Sequence, residues 1–195
     1  MDESELISTS QGGDVDAFKR LITRYEGRIF RLAHSVCSRL PSEAEDVYQE
    51  TFLTAFKKIK DFRKSSNLGT WLYRIAANLC WLRFRKKKRE PFVPLLDLPH
   101  DHGDGPGRAE FKDWSPTPEE FAKRKELKEA VAKALSGLSV EYRLAVVLRD
   151  IEGLSNEEAA KVLNLSVPAI KSRLHRGRMF LRDRLDEHFQ ETPET

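Results

Sequence analysis

Lys171, Arg173, Arg176 and Arg178 crowd into one short stretch, SVPAIKSRLHRGR, together with Ser166, Pro168, Ser172 and His175. Cations at helical spacing neutralise phosphates, and arginine can pair bidentately with a guanine edge in the major groove. Residues 161–184 hold seven Lys/Arg against one acid, although the whole chain is only +3, so polyanion contacts are expected to be local. An isolated basic amphipathic helix is as often a solvated face. Here, however, two helix starts can be read about eleven residues apart. Ser155 with Glu158 three residues on forms a capping box, and Ser166 is a second cap. Ala159, Ala160, Val162 and Leu163 give the first helix an apolar face, Asn164-Leu165 supplies a turn, and Pro168 falls in the first turn of the second helix, where a missing N–H does little harm. Ile170, Leu174, Leu181 and Leu185 keep one apolar stripe and leave the cations mostly to other faces. The pattern is that of a DNA-reading helix-turn-helix.

A second basic tract, Arg83, Arg85, Lys86, Lys87, Lys88 and Arg89, follows the segment TWLYRIAAN. Aromatic rings beside cations suit single-stranded nucleic acid, because bases stack on the rings while the cations meet phosphates. The plainer alternative is that Trp71 and Tyr73 are core or rim residues and the cations end a helix, where they also suit its dipole. Upstream, Ser42 and Glu45 form another capping box opening the helix SEAEDVYQETFLTAFKKIKDF. Its Val47, Phe52, Ala55, Phe56 and Ile59 suit a core, while Glu45, Asp46, Gln49 and Glu50 make an acidic surface for a partner helix or for water. A helix starting near Asp16 and running through Phe18, Leu21, Ile22, Tyr25, Ile29, Phe30 and Leu32 has one broad apolar face.

These elements must be set in a chain of 195 residues, 33% charged, which allows only modest cores. The expected fold is all-α: two small helical domains, 1–90 and 123–195, joined by an extended acidic linker over 91–122. That linker holds seven acids and two bases with repeated Pro and Gly, and is either a passive tether or an occupant of a basic channel in a partner. His100-Asp101-His102 reads as exposed turn rather than a metal site, so no metal or cofactor is expected. Two cysteines, Cys37 and Cys80, are too few for a disulfide framework. No apolar run approaches a membrane span and the start is acidic without a secretory leader, so a cytoplasmic protein is expected.

Taken together, these motifs resemble the extracytoplasmic-function (ECF, group IV) sigma factors of bacterial RNA polymerase. SEAEDVYQETFLTAFKKIKDF is similar to the family's polymerase-binding helix, FRKSSNLGTWLYRIAANLCWLRFRKKKR to its promoter-melting and -10-reading segment, and the chain from Leu138 to Leu185 to its -35-binding module. The resemblance covers residues 14–89 and 127–186. It departs from the family at Leu68 and Gly69, where an aromatic and a polar or basic residue are common, and in a longer linker. Only about ten residues follow Leu185, so regulation by a C-terminal extension is not expected.

The resemblance implies recognition rather than catalysis: a non-enzyme that binds core polymerase at its clamp coiled coil and flap, engages promoter DNA, and is held by an anti-sigma factor. Asp46, Gln49, Glu50 and Phe52 would face the clamp. Asn67, Trp71, Tyr73, Arg74 and Asn78, with Arg83, Arg85 and Lys86, would hold the melted -10 strand. Ser166, Pro168, Lys171, Ser172, Arg173, His175, Arg176 and Arg178 would meet the -35 duplex, and the linker would thread towards the RNA-exit path. A helix-turn-helix regulator acting without polymerase, and an enzyme acting on nucleic acid, are the rival classes. The second lacks the clustered carboxylates or activated nucleophile it needs.

Overall fold

The computed structural model describes residues 2–37, 41–63, 67–86 and 118–191, and among them every regular element is helical. Helix α1 (Glu3–Gln11) is opened by a complete capping box between Asp2 and Glu5, and α2 (Val15–Thr23) by Asp14, whose carboxylate accepts from the Asp16 and Ala17 amides. The single helix expected from Asp16 through Leu32 is therefore two. The chain bends at Arg24 and Tyr25 before α3 (Glu26–Val36). Tyr25 is needed in the bend, because its ring is buried and its hydroxyl donates to Glu3 at 2.8 Å, tying α1 down.

Helix α4 (Pro41–Lys58) begins at Pro41, one residue before the expected cap, which corrects Ser42 from cap to first-turn residue. Glu45 turns instead to His34 at 3.2 Å. A 3-10 turn (Ile59–Asp61) follows, and Gln11 of α1 donates to the carbonyls of Ile59 and Phe62 there, at 3.1 and 2.8 Å. Helix α5 (Leu68–Lys86) then crosses α3 and α4. Leu21, Ile29, Leu32, Val36, Val47, Ile59 and Leu72 form the centre of this N-terminal module. Phe56, expected in that core, is 42% exposed and meets Phe18 edge-on.

In the C-terminal module α6 (Pro118–Gly137) reaches five residues ahead of position 123, its first residue a proline. Helix α7 (Val140–Val146) widens into a π turn (Val147–Ile151), then come α8 (Asn156–Leu163) and the long α9 (Val167–Glu191). Gly177 sits where α9 crosses α7. A Cβ there would stand 2.8 Å from Val146 Cγ2, so no larger residue fits without displacement. The linker between 91 and 117, with His100 and His102, lies outside the described residues.

The modules do not stand apart. Helix α5 packs on α7 and α8, and α3 on α6, α7 and the π turn, so the buried apolar residues form one continuous core. Arg143, 1% exposed, sits at this junction. Its guanidinium donates to the carbonyls of Ser136 and Leu138 in its own module and, at 2.6 Å, to that of Val36 at the end of α3. A cation at a helix C-terminus satisfies carbonyls the helix leaves unpaired.

Candidate nucleic-acid interface

The reading unit is fixed by local chemistry. Ser155 and Glu158 exchange hydrogen bonds at 2.8 and 3.1 Å to start α8, and Asn164 ends it in the left-handed conformation at φ 54°, a geometry asparagine tolerates. Ser166 then accepts from the Ala169 amide at 3.3 Å to start α9. Ala159, Val162, Ile170 and Leu174 are buried between the helices, so the two are held at a fixed crossing.

The cations of α9 are not equivalent. Lys171 is exposed, beside the exposed Ser166 and Pro168 on the first turns. Ser172, Arg173, His175 and Arg176 are half-buried, and Arg173 lies 3.9 Å from Glu141, the outer reach of an ion pair. Arg178 is held by both oxygens of Asp150 at 2.7 and 3.0 Å, a fork that raises its pKa further and points it back to the π turn. The enclosed Nε2 of His175 has no hydrogen-bond partner among the described residues.

On α5, Asn67 caps the helix, its side-chain oxygen accepting from the Gly69 amide at 2.7 Å. Gly69 is required by closeness, since a Cβ would stand 3.0 Å from the Tyr25 ring. Trp71 packs on Phe62 with ring centroids 5.1 Å apart. Tyr73 is buried, and its hydroxyl donates to Glu152 Oε2 at 2.7 Å across the module junction. Burial, then that hydrogen bond and the carboxylate charge, push the phenol well above its ordinary range. Arg31 grips the same carboxylate with two bonds at 3.1 and 3.2 Å, and the Glu152 side chain is wholly enclosed. Tyr73 therefore offers no free ring face in this arrangement, and Trp71 is half-buried against Phe62.

The exposed stripe of α5 is Arg74, Asn78, Trp81 and Arg85, at helical spacing, with Leu82 and Lys86 beside it. Trp81 is 36% exposed and carries the Arg85 guanidinium 5.3 Å from its ring centre. Sequence reasoning passed over Trp81, yet the signal was present: it lies three residues after Asn78 and seven after Arg74. Arg83 turns the other way, to α4, bonding Asp46 at 3.2 Å and Glu50 at 2.9 Å. It thus joins one expected strand-binding residue to two expected polymerase-binding ones. On α4 Gln49 is exposed beside those acids, Phe52 is buried at 9%, and Leu53, which the sequence reading missed, is exposed at 61% on the same face.

The Sigma-70 region 2 family matches residues 21–90 and the Sigma-70, region 4 family residues 128–181, the two stretches that hold α5 and the α8–α9 pair. The ECF RNA polymerase sigma factor SigW of Bacillus subtilis is 34% identical over 180 residues, covering 92% of this chain and 94% of that protein. The chain belongs to the ECF sigma factors. It is an alternative sigma factor directing transcription initiation. The ECF RNA polymerase sigma-E factor of Escherichia coli is 33% identical, over 89% of this sigma factor and 88% of the relative. Two solved structures share the fold. CnrH in complex with the cytosolic domain of CnrY has a TM-score of 0.65 and 29% identity over 93% of this chain and 96% of that one. The sigma factor RpoE in complex with the anti-sigma factor NepR from Bartonella quintana has a TM-score of 0.64 and 27% identity over 88% and 98%. Among the described residues no helix is long and apolar enough to cross a membrane.

Proposed function

We propose that this sigma factor, of the group IV type, divides promoter recognition between its modules, with the N-terminal module at the -10 element and the C-terminal module at -35. The observation that carries this reading is the pair of exposed polar-cationic surfaces on separate rigid helices: Lys171 with the first turns of α9, and Arg74, Asn78, Trp81 and Arg85 on α5. The first suits a duplex groove, where phosphate contacts position the helix and Arg173 or Arg176 meets base edges. The second suits an unpaired strand, because it combines a ring, an amide and cations. The acidic face of α4, Asp46, Gln49 and Glu50 with the apolar Leu53, docks on the clamp coiled coil of core polymerase.

The protein is not an enzyme in this reading; the polymerase carries out nucleotide addition in the cytoplasm. Tyr73 takes part in strand binding only after Glu152 releases it, so the modules part when the factor loads. The NepR complex of the similar RpoE supports an anti-sigma factor as the partner of the unloaded form. Run-off transcription with core polymerase on a genomic fragment library tests the assignment. Discrete start sites that require both proteins are expected. Sequence-specific duplex binding without any polymerase-dependent transcript would make the protein an ordinary helix-turn-helix regulator.

A further inference from the structure

Cys37 follows the last turn of α3 and Cys80 lies beyond the middle of α5, and neither serves the DNA or polymerase surfaces. Their sulfurs are 3.7 Å apart, with the residues 1% and 0% exposed. We propose that Cys37 and Cys80 form a peroxide-sensitive dithiol whose closure to a disulfide fixes the seat on which the C-terminal module docks.

The geometry needs little adjustment. A disulfide requires sulfurs about 2 Å apart, an approach that side-chain rotation and a small helix shift supply. The surroundings divide the labour between the two thiols. The hydrogen bond between the two thiols, aided by the Arg143 and Arg83 cations, lowers the Cys37 thiol, whereas Cys80 is pushed well above the ordinary range by the same bond and by burial. In this scheme Cys37 attacks first, as the thiolate. Its sulfur takes one peroxide oxygen as the O–O bond breaks, giving a sulfenic acid and a hydroxide that becomes water. The Cys80 sulfur then attacks the Cys37 sulfur, its proton leaves, and the expelled hydroxide becomes the second water. Two thiols and one hydrogen peroxide give one disulfide and two waters, with two electrons passing from sulfur to peroxide. Peroxide is small enough to enter through local opening of the junction.

The location gives the bond its effect. Helix α3 supplies Arg31 and the Val36 carbonyl, and α5 supplies Tyr73, so the two helices carry the groups that hold Glu152 and Arg143. A staple between them removes the loosened conformations of this seat, as cross-links restrain the less ordered state. It therefore favours the docked arrangement. This consequence rests on the proposal that promoter loading needs the modules parted.

Full-length protein treated with hydrogen peroxide is expected to lose the mass of two hydrogens and both alkylatable thiols, reversibly with dithiothreitol. Cys80→Ser, or Cys80→Ala if the hydroxyl is not tolerated, is expected to stop at a dimedone-reactive Cys37. Oxidised protein added to core polymerase should give several-fold less open complex, restored by reduction, while Cys37→Ser is insensitive. Thiols that stay free, or oxidise without pairing, overturn the proposal, as does a disulfide that leaves open-complex formation unchanged. Reduced wild type that makes no open complex overturns the promoter-loading reading instead, and the mass measurement still decides the dithiol.

Discussion

Trp81 offers what stacking requires: an indole face at the surface, a cation beside it, and an asparagine one turn away. Trp71 is half-buried on Phe62 and Tyr73 is bonded to Glu152, so the most exposed ring of α5 is at 81. Stacking is worth about 1 to 3 kcal/mol per base. Trp81→Ala is expected to reduce permanganate reactivity of promoter thymines roughly fivefold or more on that scale, with polymerase binding unchanged and Trp81→Phe largely active. Full opening by the alanine variant would remove Trp81 from the strand path. Tyr25 gives a prediction of a different kind. Burial, and then the Glu3 hydrogen bond, raise its phenol to about 12 from the ordinary 10. A raised folded-state pKa means that stability is complete below pH 10 and is lost as pH climbs from 10 towards 12. Alkaline melting followed by circular dichroism is expected to show that loss, and Tyr25→Phe to reduce it, the raised phenol of Tyr73 keeping the rest, while lowering stability at neutral pH. An unchanged alkaline limb in the variant would mean the phenol is not the sensor.

Elements differ in how far local chemistry fixes them. The α8–turn–α9 unit was legible because each device is local: the Ser155–Glu158 box, the left-handed Asn164 and the Ser166 cap all lie within a few residues. Helix α4 was legible as a helix, but its start was misplaced by a residue because a proline can head a helix without any capping side chain. The bend at Tyr25 was illegible, since what enforces it is a contact to Glu3, twenty-two residues away. Close crossing of α7 and α9 was equally hidden. It depends on Gly177, which an arginine-rich sequence presents as only one more polar-face residue. Gly177→Ala adds a helix-favouring methyl yet places it 2.8 Å from Val146, so overpacking of about 1 to 3 kcal/mol is expected to outweigh the propensity gain of about 1. Chemical denaturation measures the sum. A more stable variant would show that α7 yields at no cost.

At the scale of the whole molecule, the docking of the modules had no signature in the sequence, because Arg31, Arg143 and Glu152 are charged and charged residues read as surface. The enclosure of Arg143 and Glu152 is a joint product of both modules, with Arg31 reaching in from an exposed position. Glu152→Ala removes the acceptor of Tyr73 and the partner of Arg31, and leaving a buried hydroxyl unsatisfied costs about 1 to 3 kcal/mol. The variant is expected to shift towards a parted form, seen as a larger radius of gyration in solution scattering and tighter binding of free protein to promoter DNA. Unaltered scattering and DNA affinity would show that the apolar contact between α5 and α8 suffices alone.

Arg143 carries one more consequence. Its guanidinium completes the end of α3 as well as the turn after α6, so the N-terminal module borrows that donor only while the two touch. Once parted, the end of α3 meets the cell without that donor, while Arg143 keeps the two carbonyls of its own module. Degradation follows the population of open conformations when opening is fast relative to cleavage. If loading parts the modules as proposed, a factor released from polymerase that has not yet closed is the form a protease takes first, and its survival then depends partly on how quickly Arg143 finds the Val36 carbonyl again.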